Sequence, residues 1–488
     1  MWARAAIALL ASLLLATPAA GEPPARVRAD DGEWLSYGHD NRLTNAVVSP
    51  TLRPTTVPNL REEWRAPLDG RVVASPLFSN GIVYAGTAAG SVYALDAADG
   101  HVLWRQETGT AFECGTTFGI SSTGAIDTDH RVLYEIGADG QLHAFDLASG
   151  AEAAGFPLAV VASPSDQYVW GGLRIVGRTL YVPYASYCDE LTTDDRLADG
   201  GIVGIDLDDP AGRVVFDAVA GDGNGGGVWG YGGVSAEPDG SFLYTGVGNS
   251  HVFDPLCGCD RDDLPFGDRL VKLTPSLQVV DSNYPPGINP QGDQDFGSAP
   301  LLFQPRGCPP LAAANNKNGL LYVWRRGDLA AGPIASLGVS DGEAAFVGQP
   351  SWSSRLQMLF DAEARVPQAG EKTGDGIVAV KTGFKTCRFR EAWRTPIGVG
   401  NQAPPLVVGN VVFAGGGRQG GLYALDAVTG AVLWTEPTDG ERTFSPLIEA
   451  RKRLFAPVGA GIRAYALEAG ARAARRHQLA SHTRANGT

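Results

Sequence analysis

The sequence predicts an all-β fold: an eight-bladed β-propeller of four-stranded antiparallel blades, whose last blade is closed by the N-terminal strand. The chain of 488 residues contains 64 glycines and 32 prolines, which interrupt helices and favour tight turns. A unit of short strands and Asp-containing turns recurs along the chain, and the last copy lacks one strand. Hydrophobic residues make up 44% of the chain, which supplies a packed core and excludes a disordered protein.

The repeated unit is clearest at residues 90–104 (GSVYALDAADGHVLW) and 420–434 (GGLYALDAVTGAVLW). In both copies an alternating strand leads into a turn that ends in glycine, and a second strand ends in tryptophan. This pattern is typical of a β-hairpin. A further pair of short strands precedes each hairpin, so one unit is four strands. Weaker copies of the hairpin lie at 142–150, 201–212, 376–384 and 462–467.

Counting the units gives the number of blades. They begin near residues 72, 120, 169, 228, 296, 348, 401 and 443. The last unit stops after three strands, and the segment 59–68 (NLREEWRAPL) is an isolated strand whose Trp64 matches the strand-end tryptophans of complete units. Closing the last blade with this strand leaves no exposed sheet edge. We therefore predict a closed propeller over residues 59–467.

The N-terminus has the pattern of a cleaved signal peptide, residues 1–21. Arg4 precedes an apolar run, 5–16, that is too short for a membrane-spanning helix, and small residues follow it. An uncleaved anchor is the alternative. No later stretch approaches about 18 continuous apolar residues, so we expect a protein that is exported across the inner membrane and is periplasmic or extracellular.

Residues 22–58 are predicted to be a loop-rich lead-in in which Trp34 and Tyr37 pack, and residues 468–488 a polar tail. The chain has 39 Lys+Arg against 53 Asp+Glu, a formal net charge of −14. This balance argues against nucleic acid as a partner and provides no basic patch for a membrane surface.

Six cysteines suit disulfides in an oxidising compartment, and the sequence does not choose among their 15 pairings. We interpret Cys257-Gly-Cys259 as too tight for an easy mutual bridge, and its spacing differs from the CxxC of zinc sites. No CxxCH occurs, so covalent haem is not expected. The cysteines are at positions 114, 188, 257, 259, 308 and 387.

The blade motif YALDAxTGxxLW resembles the repeat of pyrroloquinoline quinone (PQQ) propellers, over residues 34–467. That superfamily includes quinoprotein alcohol dehydrogenases, polyvinyl-alcohol dehydrogenases and a non-enzymatic outer-membrane assembly lipoprotein. The repeat itself indicates only the fold, and function has to be argued from the site.

Residues 225–250 (GGGVWGYGGVSAEPDGSFLYTGVGNS) resemble a quinone-binding segment of the dehydrogenases. The resemblance implies that Trp229 forms the floor under the quinone and that Asn249 binds the cofactor's calcium. An indole offers a broad face for a planar ring system, and an amide oxygen is a hard ligand that calcium accepts.

Two later segments resemble the catalytic part of the same enzymes. GDQDFGSAPLLF (292–303) implies that Asp295, with Asp293 close by, is the general base that takes the hydroxyl proton of an alcohol. NNKNGLLYVW (315–324) implies that Lys317 is the cation beside the quinone oxygens. The four residues occur in the order of the family, and the lysine favours the polyvinyl-alcohol type over the methanol type.

A looser resemblance at 180–207 implies an acidic calcium ligand after a serine-containing strand end. Glu190 is the first candidate for that ligand and Asp189 the second.

The segment 111–127 departs from the family. Many quinoprotein alcohol dehydrogenases have two adjacent cysteines and a following arginine there, whereas this chain has Cys114 alone and no arginine. We assign hydroxyl contacts with the cofactor to Ser122 and Thr123, together with Ser121. The quinone's carboxylates would then be held by fewer charges.

The leading interpretation is an exported dehydrogenase that requires PQQ and calcium and oxidises an alcohol-type hydroxyl of a small or polymeric substrate. Its electrons would pass to an external acceptor such as a cytochrome. One alternative is a non-catalytic propeller scaffold that binds protein partners, which the missing cysteine pair and arginine favour. The other is a hydrolase or lyase that uses Asp293, Asp295 or Glu190 with a metal. Whether the four side chains meet in one funnel distinguishes the dehydrogenase from the scaffold.

Overall fold

Each copy of the repeated unit folds into a four-stranded antiparallel sheet, and eight such blades follow one another along the chain. The predicted fold class is confirmed, and the predicted unit starts lie a few residues before the first strands. A computed structural model describes the residues to which all structural statements below refer: 32–113, 115–187, 198–219, 225–254, 256–261, 263–289, 293–341, 348–364, 374–398, 403–416, 420–441 and 446–468.

The first half of the chain contains blades 1 to 4. A 3-10 helix, Val57–Asn59, precedes the second strand, and no helix in the described part of the chain has the length and hydropathy of a membrane span. Beyond the four strands of each blade, Ala46–Val47 pairs with the sheet of blade 7 and Gln167–Tyr168 with that of blade 3. Two hairpins form separate sheets: Ala111–Glu113 with Thr116–Phe118, and Val252–Asp254 with Cys259–Arg261, the latter inserted within blade 4. In chain order, the strands are β1 (Ala46–Val47), β2 (Leu60–Pro67); blade 1, β3 (Leu77–Ser79), β4 (Ile82–Gly86), β5 (Ser91–Asp96), β6 (Val102–Glu107); β7 (Ala111–Glu113), β8 (Thr116–Phe118); blade 2, β9 (Ala125–Asp127), β10 (Val132–Ile136), β11 (Gln141–Asp146), β12 (Leu158–Ala159); β13 (Gln167–Tyr168); blade 3, β14 (Arg174–Val176), β15 (Thr179–Ser186), β16 (Gly201–Asp206), β17 (Arg213–Asp217); and blade 4, β18 (Ser235–Ala236), β19 (Leu243–Gly246), β20 (Val252–Asp254), β21 (Cys259–Arg261), β22 (Leu270–Leu273), β23 (Val279–Asn283).

The second half contains blades 5 to 8. Its strands are blade 5, β24 (Leu301–Phe303), β25 (Leu311–Asn315), β26 (Leu320–Arg325), β27 (Ala335–Gly338); blade 6, β28 (Ser351–Ser353), β29 (Met358–Glu363), β30 (Gly376–Thr382), β31 (Phe389–Pro396); blade 7, β32 (Leu406–Val408), β33 (Val411–Gly415), β34 (Leu422–Asp426), β35 (Val432–Glu436); and blade 8, β36 (Ile448–Ala450), β37 (Arg453–Pro457), β38 (Gly461–Leu467).

Blade 8 is completed by the N-terminal strand. β2 pairs antiparallel with β38, with Trp64 opposite Ala464, and the strand order of the sheet is β2-β38-β37-β36. The predicted closure is therefore confirmed.

Blade 8 docks on blade 1, and blade 1 on blade 2, through a tryptophan and a glycine. Trp64 of blade 8 donates its indole N–H to the carbonyl of Ala97 in blade 1 at 3.1 Å. Its ring lies over Gly100, where a Cβ would stand 2.5 Å from the indole. Trp104 of blade 1 covers Gly150 of blade 2 in the same way, at 2.7 Å. Both glycines have positive φ, +78° and +69°, so the position requires glycine for its backbone and for its space. This docking explains why strand-end tryptophan and turn glycine recur together.

The lead-in segment closes the centre of the propeller. Residues 34–47, here called the channel segment, run past the first strands of blades 1 to 7, where those strands converge. Trp34 and Tyr37 are 0% and 1% exposed, so the prediction that they pack is confirmed. The backbone bonds from first strands to this segment are Phe78 N to Trp34 O (2.9 Å), Ile126 N to Leu35 O (2.8 Å), Ala236 N to Asn41 O (2.7 Å), Leu302 N to Arg42 O (2.9 Å), Trp352 N to Thr44 O (2.9 Å) and Val407 N to Asn45 O (3.0 Å).

Blade 3 contributes a side chain to the same contact. Arg174, fully buried, donates to Ser36 Oγ at 2.6 Å, Tyr37 O at 2.7 Å and Asp40 O at 3.3 Å. Burial lowers the pKa of Arg174 to about 10, against the opposing effect of Asp40. The channel segment is thus held by seven of the blades.

Two disulfides join described cysteines. Cys308 and Cys387 connect blade 5 to blade 6 with Cα atoms 5.7 Å apart. Cys257 and Cys259 are also bonded, so our interpretation of that pair as too tight was wrong: the turn at Gly258 has φ +65°, which brings the two Cα atoms to 5.3 Å. Cys114 and Cys188 lie outside the described residues.

Candidate functional site

Four predicted site residues line one cavity. Trp229, Asn249, Asp295 and Lys317 border a cavity of about 210 Å³ between blades 3, 4 and 5. The remaining lining residues are Trp170, Ala185, Ser186, Tyr187, Ala198, Gly225, Gly227, Tyr231 and Gly248.

The four residues occupy equivalent places in two consecutive blades. Trp229 and Asp295 each stand six residues before the first strand of their blade, β18 and β24. Asn249 and Lys317 follow the second strands, β19 and β25. Because first strands begin where second strands end in an antiparallel sheet, the repeat itself brings these four positions to one end of the propeller.

Asp295 is the most enclosed of the four. It is 2% exposed, and its Oδ2 accepts a hydrogen bond from the indole N–H of Trp229 at 2.7 Å. This charge-assisted bond fixes the plane of the indole and the direction of the carboxylate.

Lys317 holds the other side of the carboxylate. Its Nζ lies 2.8 Å from Asp295 Oδ1 and 2.5 Å from Asp293 Oδ1. The contact with Oδ1 is an ion pair without aligned hydrogen-bond geometry, so Oδ1 accepts no hydrogen bond from the described residues. Nζ also stands 4.8 Å from the centroid of the Trp229 ring, which suits a cation–π contact.

Burial and the neighbouring charges shift the pKa values of Asp295 and Lys317. Burial raises the pKa of the Asp295 carboxyl above its ordinary value, and the neighbouring Lys317 ammonium opposes that rise. Burial acting alone would lower the pKa of Lys317, but Asp295 and Asp293 outweigh it, and the pKa lies above the ordinary value. Lys317 is therefore held in its charged form, and the Asp295 carboxyl binds a proton more readily than an ordinary aspartate.

Two hydrogen bonds attach the segment 293–295 to the residues that follow β25. The amide N–H of Lys317 donates to the carbonyl of Asp295 at 3.1 Å, and the side-chain amide of Asn316 donates to Gln294 O at 2.6 Å. The segment 293–295 is thereby attached to the end of β25.

A glycine makes the space beside Asp295 and Trp229. A Cβ at Gly248 would lie 2.9 Å from Asp295 Oδ2 and 3.1 Å from Trp229 Nε1. Asn249, half-buried, follows directly and borders the cavity. The wall here is backbone and one amide, so a ligand can approach closely.

An aromatic wall was missed by the sequence analysis. Trp170 and Tyr187 border the cavity, and Phe118 packs against both, with centroids 5.6 and 5.0 Å away. The Trp170 N–H donates to Ser186 O and the Tyr187 hydroxyl to Ala138 O. Aromatic residues at strand ends usually belong to the core, so the sequence held no signal for this wall beyond its closeness to Glu190.

Tyr231 joins the cavity to the channel segment. It packs on a cluster of Tyr37, Leu43 and Ala299, and burial raises its pKa to about 12. The channel segment therefore backs the cavity on its inner side.

The remaining predicted residues are placed differently. Ser122 and Thr123 are buried and are not among the lining residues; Ser122 donates to Glu135 at 3.4 Å and Thr123 accepts from the Ser75 N–H at 2.9 Å. Glu190 and Asp189 lie outside the described residues. The cofactor and metal roles of these residues stay predictions.

A family model described as outer membrane protein assembly factor BamB, of the PQQ repeat type, matches residues 58–160 and 339–487. These ranges cover more than half of the chain. They contain none of the residues that line the cavity.

Curated relatives are quinone-dependent alcohol dehydrogenases by name. Quinohemoprotein alcohol dehydrogenase ADH-IIG of Pseudomonas putida is 24% identical over 280 residues, 51% of this chain and 38% of that protein. ADH IIB of the same organism is 36% identical over 107 residues, 20% of this chain and 16% of that protein. The dehydrogenase subunit of alcohol dehydrogenase (quinone) from Gluconobacter oxydans is 30% identical over 128 residues, 24% of this chain and 16% of that protein. The chain thus spans well under half the length of these relatives.

Solved structures share the fold at low identity. Quinohemoprotein alcohol dehydrogenase ADHIIG from Pseudomonas putida superposes with a TM-score of 0.68 at 17% identity, over 89% of this chain and 80% of that chain. Europium-containing methanol dehydrogenase gives 0.67 at 15%, over 88% and 90%. BamB from Moraxella catarrhalis gives 0.54 at 16%, over 83% and 99%.

Proposed function

This chain belongs to the PQQ repeat family of β-propellers, and from that premise we propose that it is a dehydrogenase that requires PQQ and calcium and oxidises an alcohol-type hydroxyl. The observation that carries the proposal is the convergence of Trp229, Asn249, Asp295 and Lys317 on one cavity. A protein that only presents blade edges to partners has no need to bury an aspartate against a lysine in its funnel. The convergence therefore favours the dehydrogenase over the scaffold.

The cavity fits a flat, polar ligand. Its volume of about 210 Å³ is below the usual range of small-molecule sites, roughly 300–1,000 Å³, so a ligand as large as PQQ would reach beyond the enclosed space. The indole of Trp229 provides a fixed face, and the glycines at 225, 227 and 248 leave room against the backbone.

The charges of the cavity favour a metal cation together with an anionic cofactor. The charged groups along the described lining are Asp295 and Lys317, and Lys317 also pairs with Asp293. One ammonium between two carboxylates leaves a net negative charge, which would repel the carboxylates of PQQ unless a cation intervened. Asn249, with Glu190 as the predicted second ligand, would hold calcium there through oxygen atoms.

When bound, PQQ would supply the two-electron acceptor. Asp295 would take the proton of the substrate hydroxyl, because its burial strengthens it as a base and its Oδ1 accepts no other hydrogen bond. Trp229 would keep the carboxylate oriented through its bond to Oδ2. Lys317 would keep Asp295 ionised and stabilise negative charge that develops on neighbouring oxygen atoms.

We retain export and the external acceptor as parts of the proposal. The signal-peptide pattern of residues 1–21 supports export, and the two described disulfides suit an oxidising compartment. Electrons would pass to an external acceptor such as a cytochrome, since the sequence has no CxxCH haem motif.

The proposal is tested by reconstituting the purified protein with PQQ and calcium and measuring dye-linked oxidation of an alcohol panel. We expect PQQ to bind at micromolar concentration and alcohol to be oxidised. Asp295→Asn, which keeps the size of the side chain, should abolish turnover while PQQ still binds. Asp239→Asn is the matched control, because Asp239 is an exposed turn residue at the far end of β19 from Gly248.

Two results would contradict the proposal. If PQQ does not bind at micromolar concentration, it is not the cofactor of this protein. Turnover of a substrate without any quinone would favour the hydrolase or lyase alternative.

A further inference from the structure

The ammonium of Lys317 lies between two carboxylates that differ in exposure. The Asp293 side chain is 70% exposed and the Asp295 side chain 3%, while the Lys317 side chain between them is 9% exposed. The three groups therefore form a row that runs from the interior of the cavity to solvent.

A general base has to return its proton to water after each turnover. Asp295 is enclosed, and its Oδ2 is engaged by the Trp229 N–H. A substrate and a cofactor in the cavity would also separate its Oδ1 from bulk solvent. Among the described contacts of this carboxylate, Lys317 is the one that continues to a solvent-exposed group.

We propose that Lys317 and Asp293 form the proton exit of the site, carrying to solvent the proton that Asp295 takes from the substrate. This inference rests on the function proposed above. In one concerted step Lys317 gives an N–H proton to Asp293 and takes the proton held by Asp295. Asp293 then releases its proton to water. One proton enters from the substrate hydroxyl, one leaves to solvent, and the ammonium and both carboxylates are restored.

The surrounding contacts keep this row in place. The segment 293–295 is attached to the end of β25 by the Lys317 and Asn316 bonds described above, and Trp229 lies under the ammonium. Nζ donates a hydrogen bond to Asp293 Oδ1 at 2.5 Å, and its 2.8 Å separation from Asp295 Oδ1 is short enough for a hydrogen bond once the two side chains align. Concerted transfer avoids leaving a neutral amine between two carboxylates, which the raised pKa of Lys317 disfavours.

The first test is chemical rescue in the PQQ- and calcium-loaded protein. Asp293→Ala removes the outer carboxylate at an exposed position, so folding should be unaffected. We expect kcat to fall roughly tenfold or more, the low end of what a positioned proton-transfer group contributes, with KM unchanged. Added formate, a small carboxylate, should restore kcat in proportion to its concentration. Asp239→Ala, the control, should keep wild-type kcat and show no effect of formate.

The second test uses the protein without quinone. Trp229 donates to Asp295 Oδ2, so its fluorescence should report protonation of that carboxylate after a stopped-flow pH jump, and Trp229→Phe identifies the signal. Of the titratable groups in the described part of the chain, Lys317 and Asp293 face Asp295, and Tyr187 and Tyr231 border the same cavity. We expect Asp293→Ala to slow this relaxation roughly tenfold or more.

The outcomes separate the two proposals. Absence of turnover in the wild type with PQQ and calcium would refute the dehydrogenase, while the pH-jump rate still tests the exit path. Wild-type kcat in Asp293→Ala, a loss of kcat that formate does not restore, or an unchanged pH-jump rate would overturn the exit path and leave the three groups as an ion-pair cluster.

Discussion

Gly248→Ala is the smallest change that should disturb the site. The backbone at Gly248 does not have positive φ, so alanine is compatible with it and the effect is steric. The new Cβ would lie 2.9 Å from Asp295 Oδ2 and 3.1 Å from Trp229 Nε1. Ordinary contact begins at 3.4 Å, so Asp295 Oδ2 or the backbone has to move by about half an ångström.

The structure leaves little freedom for that movement. The amide N–H of Gly248 donates to Gly227 O at 2.7 Å, and its carbonyl accepts from the Asp268 N–H at 3.1 Å. The easier displacement is of the carboxylate, away from the Trp229 N–H. A hydrogen bond to a charged group contributes about 1.5–3 kcal/mol, and overpacking costs about 1–3 kcal/mol. Since about 1.4 kcal/mol corresponds to a factor of ten in rate, we expect kcat/KM to fall roughly ten- to 150-fold.

The assay is dye-linked alcohol oxidation by the reconstituted protein, together with urea unfolding to measure stability. Gly327→Ala is the matched control, because a Cβ there meets nothing within 4 Å and its φ is not positive. We expect the control to match the wild type in both measurements. Wild-type kcat/KM in Gly248→Ala would refute the reasoning that the Trp229–Asp295 bond positions the base.

Three further predictions concern charge and stability. Lys317→Met removes the ammonium that lowers the pKa of Asp295, so the acid limb of the kcat/KM profile should move to higher pH; an unchanged limb would contradict the pairing. Arg174→Met leaves the buried Tyr37 O without a donor and removes the bond to Ser36 Oγ, and urea unfolding should register a loss of about 1–3 kcal/mol; an unchanged midpoint would show that these bonds add no stability. Burial raises the pKa of Asp361 to about 8. The protonated side chain therefore contributes its full stability at a pH below the ordinary aspartate pKa, and this contribution is lost as pH rises through about 8. Asp361→Asn, which does not ionise, should reduce the fall in stability between pH 6 and pH 8, and an unreduced fall would contradict burial as the cause.

The repeat was predictable because its physical cause is local and recurs. Docking of Trp64 on Gly100 and of Trp104 on Gly150 needs the same two residue types at the same spacing each time, so the pattern is visible in the sequence. The missing strand of the last unit then predicted closure by β2. Trp229 and Asp295 could be proposed because the segments that carry them, 225–250 and 292–303, resemble those of the quinoprotein alcohol dehydrogenases.

The channel segment was not predictable in the same way. Its contacts with the first strands are mostly backbone hydrogen bonds to carbonyls, which any residue provides and which leave no side-chain pattern. Ser122 shows a related difficulty: the order of residues in a loop does not tell which side chain turns inward, and this one bonds Glu135 in the interior. Pairing of Cys257 with Cys259 depended on the positive φ of the glycine between them.

The family resemblance and the proposed chemistry lie in different parts of the propeller. The family model matches residues on both sides of blades 3 to 5 but leaves 161–338 unmatched, and every residue that lines the cavity falls in that gap. A repeat model depends on residue types that recur from blade to blade, such as the docking pair of Trp64 and Gly100, whereas equivalent positions before β18 and β24 hold different residues, Trp229 and Asp295. Such positions can change while the fold is kept. The proposed function therefore depends on the strand ends that carry Trp229, Asn249, Asp295 and Lys317, and substitutions there test it more directly than substitutions in the repeat.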